Sequence, residues 1–284
     1  MNSGENLTSK IAIGTRGHFS IGNISKKGEF WGGVYHIEVV AGWTIDKKTW
    51  MIVDFTDMKA AVSRVLNSGF EHGFVVPQES RKLAERFRKK GMNIIETPGW
   101  SLEWLPIMIF DRLRVALREP AHLRLIRLQS VPGNICQVEA GDERIKVGKI
   151  RNPKRRSSWE CNLNFGHRII GLWKCETPHS HSWKPKIRFN RELMTEEYTF
   201  ITAKIEEKLK KSWQWKWVFQ TSDDFWLSIS SRKKHIKELS SPPTTEMIAM
   251  EMIREIEHVL RKTGTDIQLV HFELWETPTN FVTT

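Results

Sequence analysis

Apolar and polar residues alternate from Ile11 to Phe19 and again over Tyr35-His36-Ile37-Glu38-Val39-Val40, a period of two that predicts half-buried strands. Met51-Ile52-Val53-Asp54-Phe55 then leads into a helical pattern from Asp57 to Leu66. The same succession returns later. Strand-like runs from Cys161 to His167 and from Ser182 to Phe189 precede Tyr198-Thr199-Phe200, which leads into a helix ending near Lys211. Each window continues with an amphipathic helix. One begins at Glu103 with Leu105, Ile107, Ile109, Leu113 and Leu117; the other begins at Glu246 with Ile248, Met252, Ile253, Ile256 and Leu260. Both stripes are expected to cover one face of a sheet. A strand follows each helix, at 123–128 and 267–274. The chain therefore reads as a repeat of the α+β class: two tandem modules, each an antiparallel sheet with helices packed on one face. The modules are expected at 1–148 and 159–284, joined by a basic linker at 149–158. The Ser-rich and basic residues between Asp223 and Pro242 read as a long loop.

Composition narrows the setting. The 284 residues leave room for two ordinary domains. The longest apolar run, Trp104 to Phe110, is interrupted by Pro106 and is too short to span a membrane. The polar start, Met1 to Asn6, lacks the basic-then-apolar pattern of a secretory signal. Cys136, Cys161 and Cys175 are too few and scattered for a disulfide framework, which points to a reducing, cytoplasmic setting. The net charge of +11 calls for an anionic partner, either nucleic acid or a phosphorylated small molecule. The basic runs from Lys149 to Arg156 and from Arg232 to His235 also suit solvated loops.

Candidate chemistry gathers at His167, Cys175, His179 and His181. His179 and His181 are two apart and share one face of a strand, and His167 is positioned to lie opposite them on the preceding antiparallel strand. Three neutral imidazoles with an open fourth position make the geometry of a catalytic zinc. An exposed polar face fits the His-x-His spacing as well, and a buried, inert thiol fits Cys175.

The order of motifs resembles the 6-pyruvoyltetrahydropterin and 6-carboxytetrahydropterin synthase family, which has the tunnelling fold. In the second half the resemblance rests on His167, Cys175, His179, His181, Pro243-Thr244-Thr245-Glu246 and Trp275-Glu276-Thr277, in the family's order. Ser180 stands for the family's Gly and Met247 for its Asn. Thr199 and Lys216-Trp217 stand where the family has Asp and an Asp-His pair. The first half has the opposite losses. Asp54-Phe55 and Glu71-His72 fit, but Trp31-Gly32-Gly33 replaces His-Gly-His and Ser130-Val131 replaces Glu-Thr. His18, at the position of a first zinc ligand, is left without partners and reads as a vestige.

The resemblance implies a zinc-dependent lyase acting on 7,8-dihydroneopterin triphosphate, whose triphosphate suits a basic protein. Zn²⁺ would be held by His167, His179 and His181. Cys175 would be the general base, which requires a lowered thiol pKa. Glu276 would anchor the pterin, with Thr245 and Glu246 in the same pocket; Thr244 or Thr245 also suits a helix cap with Glu246 favouring the dipole. Glu71 and His72 would be the proton-relay pair, although a turn before Gly73 also accounts for them. Family active sites are shared between subunits, so the complementary losses suggest one composite site per pair of modules. The 6-carboxy product, as in 7-deazaguanine (queuosine-type) synthesis, is favoured because the Cys-x-x-x-His spacing and the bare two-module chain resemble microbial members. A homo-oligomer is expected, because the family's sheets pair edge to edge. The alternative is a repurposed pseudoenzyme of the same fold that binds nucleic acid or a larger assembly through its basic surface. The tryptophans at 31, 43, 100, 104, 213, 215 and 217 suit stacking on bases or pterins, or burial in a core or interface.

Overall fold

The computed structural model describes residues 11–24, 26, 30–42, 45–99, 104–117, 122–130, 135–139, 146–147, 156–172, 175–225 and 235–284. The expected helix start at Glu103, most of the 149–158 linker and the 232–234 basic run lie outside them. These residues form two compact units. One draws on residues within Gly14–Gly42 and Val53–Arg151, the other on residues within Met1–Ile13, Trp43–Ile52 and Asn152–Thr284.

The alternating runs become β1 (Ala12–Ile24), in the first unit from Gly14 onward, and β2 (Phe30–Gly42). Asp54 caps α1 (Phe55–Gly69) by accepting from the Thr56 amide. Then come β3 (Gly73–Pro77), α2 (Arg81–Arg88), β4 (Ile94–Thr97), α3 (Trp104–Ala116), β5 (His122–Ser130), β6 (Ile135–Glu139) and β7 (Lys146–Val147). Strands β2, β5, β6 and β7 pair antiparallel in that order, whereas β3 runs parallel to both β1 and β4. The β3–α2–β4 passage has no counterpart in the sequence reading. Gly73-Phe-Val-Val-Pro77 is a short, nearly continuous apolar run, and such a run carries no period that separates strand from helix. Helices α1 and α3 pack together, burying Met58, Val62, Leu66, Leu105, Ile109 and Leu113.

The second unit contains β8 (Ser158–Glu160), β9 (Leu163–His167), β10 (His179–Phe189), α4 (Thr195–Trp213), β11 (Trp217–Gln220), β12 (Ile236–Leu239), α5 (Thr245–Lys262), β13 (Leu269–Trp275) and β14 (Asn280–Thr283). Its sheet runs β12-β11-β9-β10-β13-β14, with β8 also paired to β10. Helices α4 and α5 pack on each other, α4 on β9 and α5 on β13. The apolar positions Ile201, Ile205, Leu209 and Trp213 of α4, four apart, and Ile248, Met252, Ile256 and Leu260 of α5 are all buried.

Two expectations are corrected. Tyr198-Thr199-Phe200 does not lead into α4 but lies within its first turns. The helix starts at Thr195, where Glu196 and Glu197 favour the positive end of the dipole and Arg191 holds the Glu197 carboxylate. The expected loop between Asp223 and Pro242 contains β12, which pairs parallel to β11 over Trp217–Gln220. Ile-Lys-Glu-Leu is too short and polar to stand out as a strand before its partner is known.

Candidate metal centre

Four elements of the second unit converge on one spot: the end of β9, the start of β10, the end of β13 and the start of α5. On the β9–β10 ladder His179 lies opposite His167 and His181 opposite Phe165. Alternation therefore puts His167, His179 and His181 on one face, together with Phe165 and Trp183. Phe165 and Trp183 stack with centroids 4.7 Å apart, and Trp183 meets His167 and His181 edge-on, giving the imidazoles an apolar floor.

The three imidazoles offer nitrogens that all lie within 4.8 Å of one another. His167, 1% exposed, donates from Nδ1 to the Pro243 carbonyl at 2.8 Å, just ahead of α5. His179 donates from Nδ1 to the Thr177 carbonyl at 2.9 Å. With those Nδ1 atoms turned to carbonyls, the two Nε2 atoms face each other at 3.2 Å. The Nε2 of His181 is buried without a hydrogen-bond partner. Burial, reinforced by the neighbouring imidazoles, pushes His167 down to about 3 and His181 to about 4, so both rings are neutral at pH 7. Facing Nε2 atoms, an orphaned buried nitrogen and Nδ1 atoms held by carbonyls suit a three-His metal centre. The residues fit zinc.

The other expected residues fall as follows. Glu276 directly follows β13, with Oε1 3.3 Å from His181 Nε2 and 3.6 Å from His167 Nε2. Thr245 donates to its Oε2 at 3.0 Å. Of the two threonines it is Thr244 that caps α5, accepting from the Met247 amide, which leaves Thr245 turned toward Glu276. Glu246 is buried and accepts the Ile52 amide at 3.0 Å, while Thr244 donates to the Trp50 carbonyl. A segment from early in the sequence is thereby fastened to the head of α5. Cys175 lies in the turn that feeds β10, half-buried, with its amide on the Leu172 carbonyl and its own carbonyl on the Ile169 amide. By contrast, burial pushes the Cys161 thiol up to about 12, which leaves it protonated and inert.

In the first unit Glu71 and His72 sit in the turn before β3. His72 has φ 53°, its side chain is 85% exposed, and its Nε2 lies 3.3 Å from Glu71. His18 is exposed on β1. In the second unit Trp217 pairs with Gly166, whose Cβ direction is opposite to that of His167, so its ring lies on the far face of the sheet from the imidazoles. Trp213 is core, Trp215 is exposed, and the side chains of Trp31, Trp43 and Trp100 lie outside the described residues.

Sequence reasoning missed Arg168. Its Nε donates to the Glu176 carbonyl at 2.7 Å and its guanidinium pairs with the fully buried Asp223, tying the Cys175 turn to the stretch after β11. The adjacent His167 drew attention to the position, but nothing in the spacing pointed to Asp223. Among the described residues no helix is long and apolar enough to cross a membrane.

Fold and site define a duplicated α+β protein with one three-imidazole centre among its described residues. The sequence matches the 6-pyruvoyl tetrahydropterin synthase family twice, over residues 15–141 and 157–284, and the chain belongs to that family of lyase-type enzymes as a tandem duplication. Similar solved structures include an uncharacterized protein from Wolinella succinogenes (13% identity, TM-score 0.40, covering 46% of this chain and 97% of that one). The 6-pyruvoyl tetrahydropterin synthases of Caenorhabditis elegans (20%, 0.35, 45% and 95%) and Plasmodium falciparum (16%, 0.35, 46% and 97%) are others. No curated protein matches the sequence.

Proposed function

We propose that the protein is a zinc-dependent lyase that converts 7,8-dihydroneopterin triphosphate to a 6-substituted tetrahydropterin, with 6-carboxytetrahydropterin favoured. The observation that carries this reading is the convergence of His167, His179 and His181 beside a carboxylate, Glu276, that Thr245 orients. Zinc held by the three imidazoles would polarise the hydroxyls of the substrate side chain. Glu276 accepts from the amino and ring N–H groups of the pterin, a planar donor pair that a carboxylate matches, with Thr245 and Glu246 completing the support at the head of α5. Cys175 takes the proton from the substrate carbon skeleton, and Glu71 and His72 of the first module serve as the relay pair. The complementary losses in the two halves support that division of labour. The excess of positive charge suits the triphosphate.

The test is incubation of the purified chain with dihydroneopterin triphosphate. A 6-substituted tetrahydropterin is expected, and Cys175→Ala should abolish it while leaving bound zinc unchanged. Turnover that survives Cys175→Ala would remove the thiol from the mechanism. No turnover by wild-type protein, together with salt-sensitive nucleic-acid binding, would favour the alternative.

A further inference from the structure

We infer that Glu276 is the fourth ligand of the metal centre when no pterin is bound, and that substrate opens the centre by drawing this carboxylate away. The inference rests on the proposal that the three imidazoles hold zinc, and goes beyond it by giving one residue two alternating partners.

A tetrahedral zinc with bonds of about 2.0–2.2 Å has ligand atoms about 3.4 Å apart at its vertices. His167 Nε2 and His179 Nε2 are separated by 3.2 Å, His167 Nε2 and Glu276 Oε1 by 3.6 Å, and His181 Nε2 and Glu276 Oε1 by 3.3 Å. Oε1 thus stands at a vertex's distance from two of the three imidazoles, on the side of the cluster away from His179. The proton inventory agrees. His167 spends its Nδ1 proton on Pro243, so its Nε2 meets Oε1 lone pair to lone pair. His181 Nε2 lies 3.3 Å from Oε1, yet the two make no hydrogen bond. Ring nitrogens and a carboxylate oxygen gathered this closely suit a cation among them. Thr245 supplies the remaining constraint: by donating to Oε2 it fixes the carboxylate's rotation and leaves Oε1 turned to the imidazoles.

Glu276 is also the residue that would hold the pterin's N–H pair, and both oxygens are needed for that. A pterin held edge-on by both oxygens turns Oε1 away from the imidazoles, so metal ligation and pterin anchoring alternate. A bound pterin recruits the carboxylate and frees the fourth position for the substrate side chain, whereas a phosphorylated compound lacking the N–H pair leaves the centre closed.

The full chain loaded with Co²⁺ reports ligand number and type in its visible absorption, and competition with a chelator gives metal affinity independently of turnover. Replacing Glu276 by Ala, and separately by Gln to keep the side-chain volume, should weaken metal binding by about tenfold or more and change the cobalt spectrum. Neopterin added to the cobalt-loaded wild-type protein should shift its spectrum toward that of Glu276→Ala, and inorganic triphosphate should not. If both Glu276 variants match wild type in affinity and spectrum while His179→Ala has lost the metal, Glu276 is no ligand and the three-His centre stands. If the wild-type chain takes up no metal, the zinc reading fails and this inference with it.

Discussion

Glu246 is 2% exposed in the first turn of α5. Burial pushes its carboxyl from 4.5 up to about 7, against the Ile52 amide, which favours the charged form. The folded protein then holds this proton more tightly than the unfolded chain. The associated stability is fully present below pH 4.5 and is lost as pH rises through 7, on the order of 3 kcal/mol in all. Glu246→Gln should remove this component. Urea midpoints at pH 5 and pH 8 should differ less in the variant than in wild type, and an unchanged difference would show that Glu246 is ionised throughout. At this scale the sequence was legible where side chains carry the pattern. The three histidines, Glu276 and Thr245, singled out by motif order, come together in the structure. The partners that orient them were not legible, because the carbonyls of Thr177 and Pro243 and the amide of Ile52 belong to the backbone and have no residue signature.

Strand β9 shows how an element constrains a site. Gly166 sits between two neighbours, opposite Ser180 on β10 and Trp217 on β11. A Cβ there would stand 2.8 Å from the His179 carbonyl oxygen and closer still to the Trp217 ring. Gly166→Ala should therefore lower stability by roughly 1–3 kcal/mol, read as a fall in melting temperature. Adding Trp217→Ala should restore only part of it, since the carbonyl contact remains. Full recovery in the double variant would mean that the ring alone sets the limit. Long periodic elements were readable here: β1, β2, β10, α3 and α5 follow their hydrophobic patterns. The short parallel strands β3, β4 and β12 were not. Each is four or five residues long and is defined by a partner distant in sequence.

For the molecule as a whole, duplication followed by complementary loss is the feature that sequence disclosed and that no single element carries. The first module has Glu71 and His72 but Trp31 and Gly33 where the resemblance puts metal ligands; the second has the imidazoles but Lys216 and Trp217 where it puts the proposed relay pair. His72 is exposed in its turn, so its replacement should leave folding intact. His72→Ala is expected to lower turnover by about 10²–10⁴-fold with zinc content unchanged, and full activity in this variant would end the idea of a shared relay. On the proposed division one chain holds one metal ion. Zinc measured per chain in the purified protein, by elemental analysis, tests the account most directly. One equivalent in wild type and none in His179→Ala is the predicted result; two equivalents, none, or zinc that survives His179→Ala would contradict it.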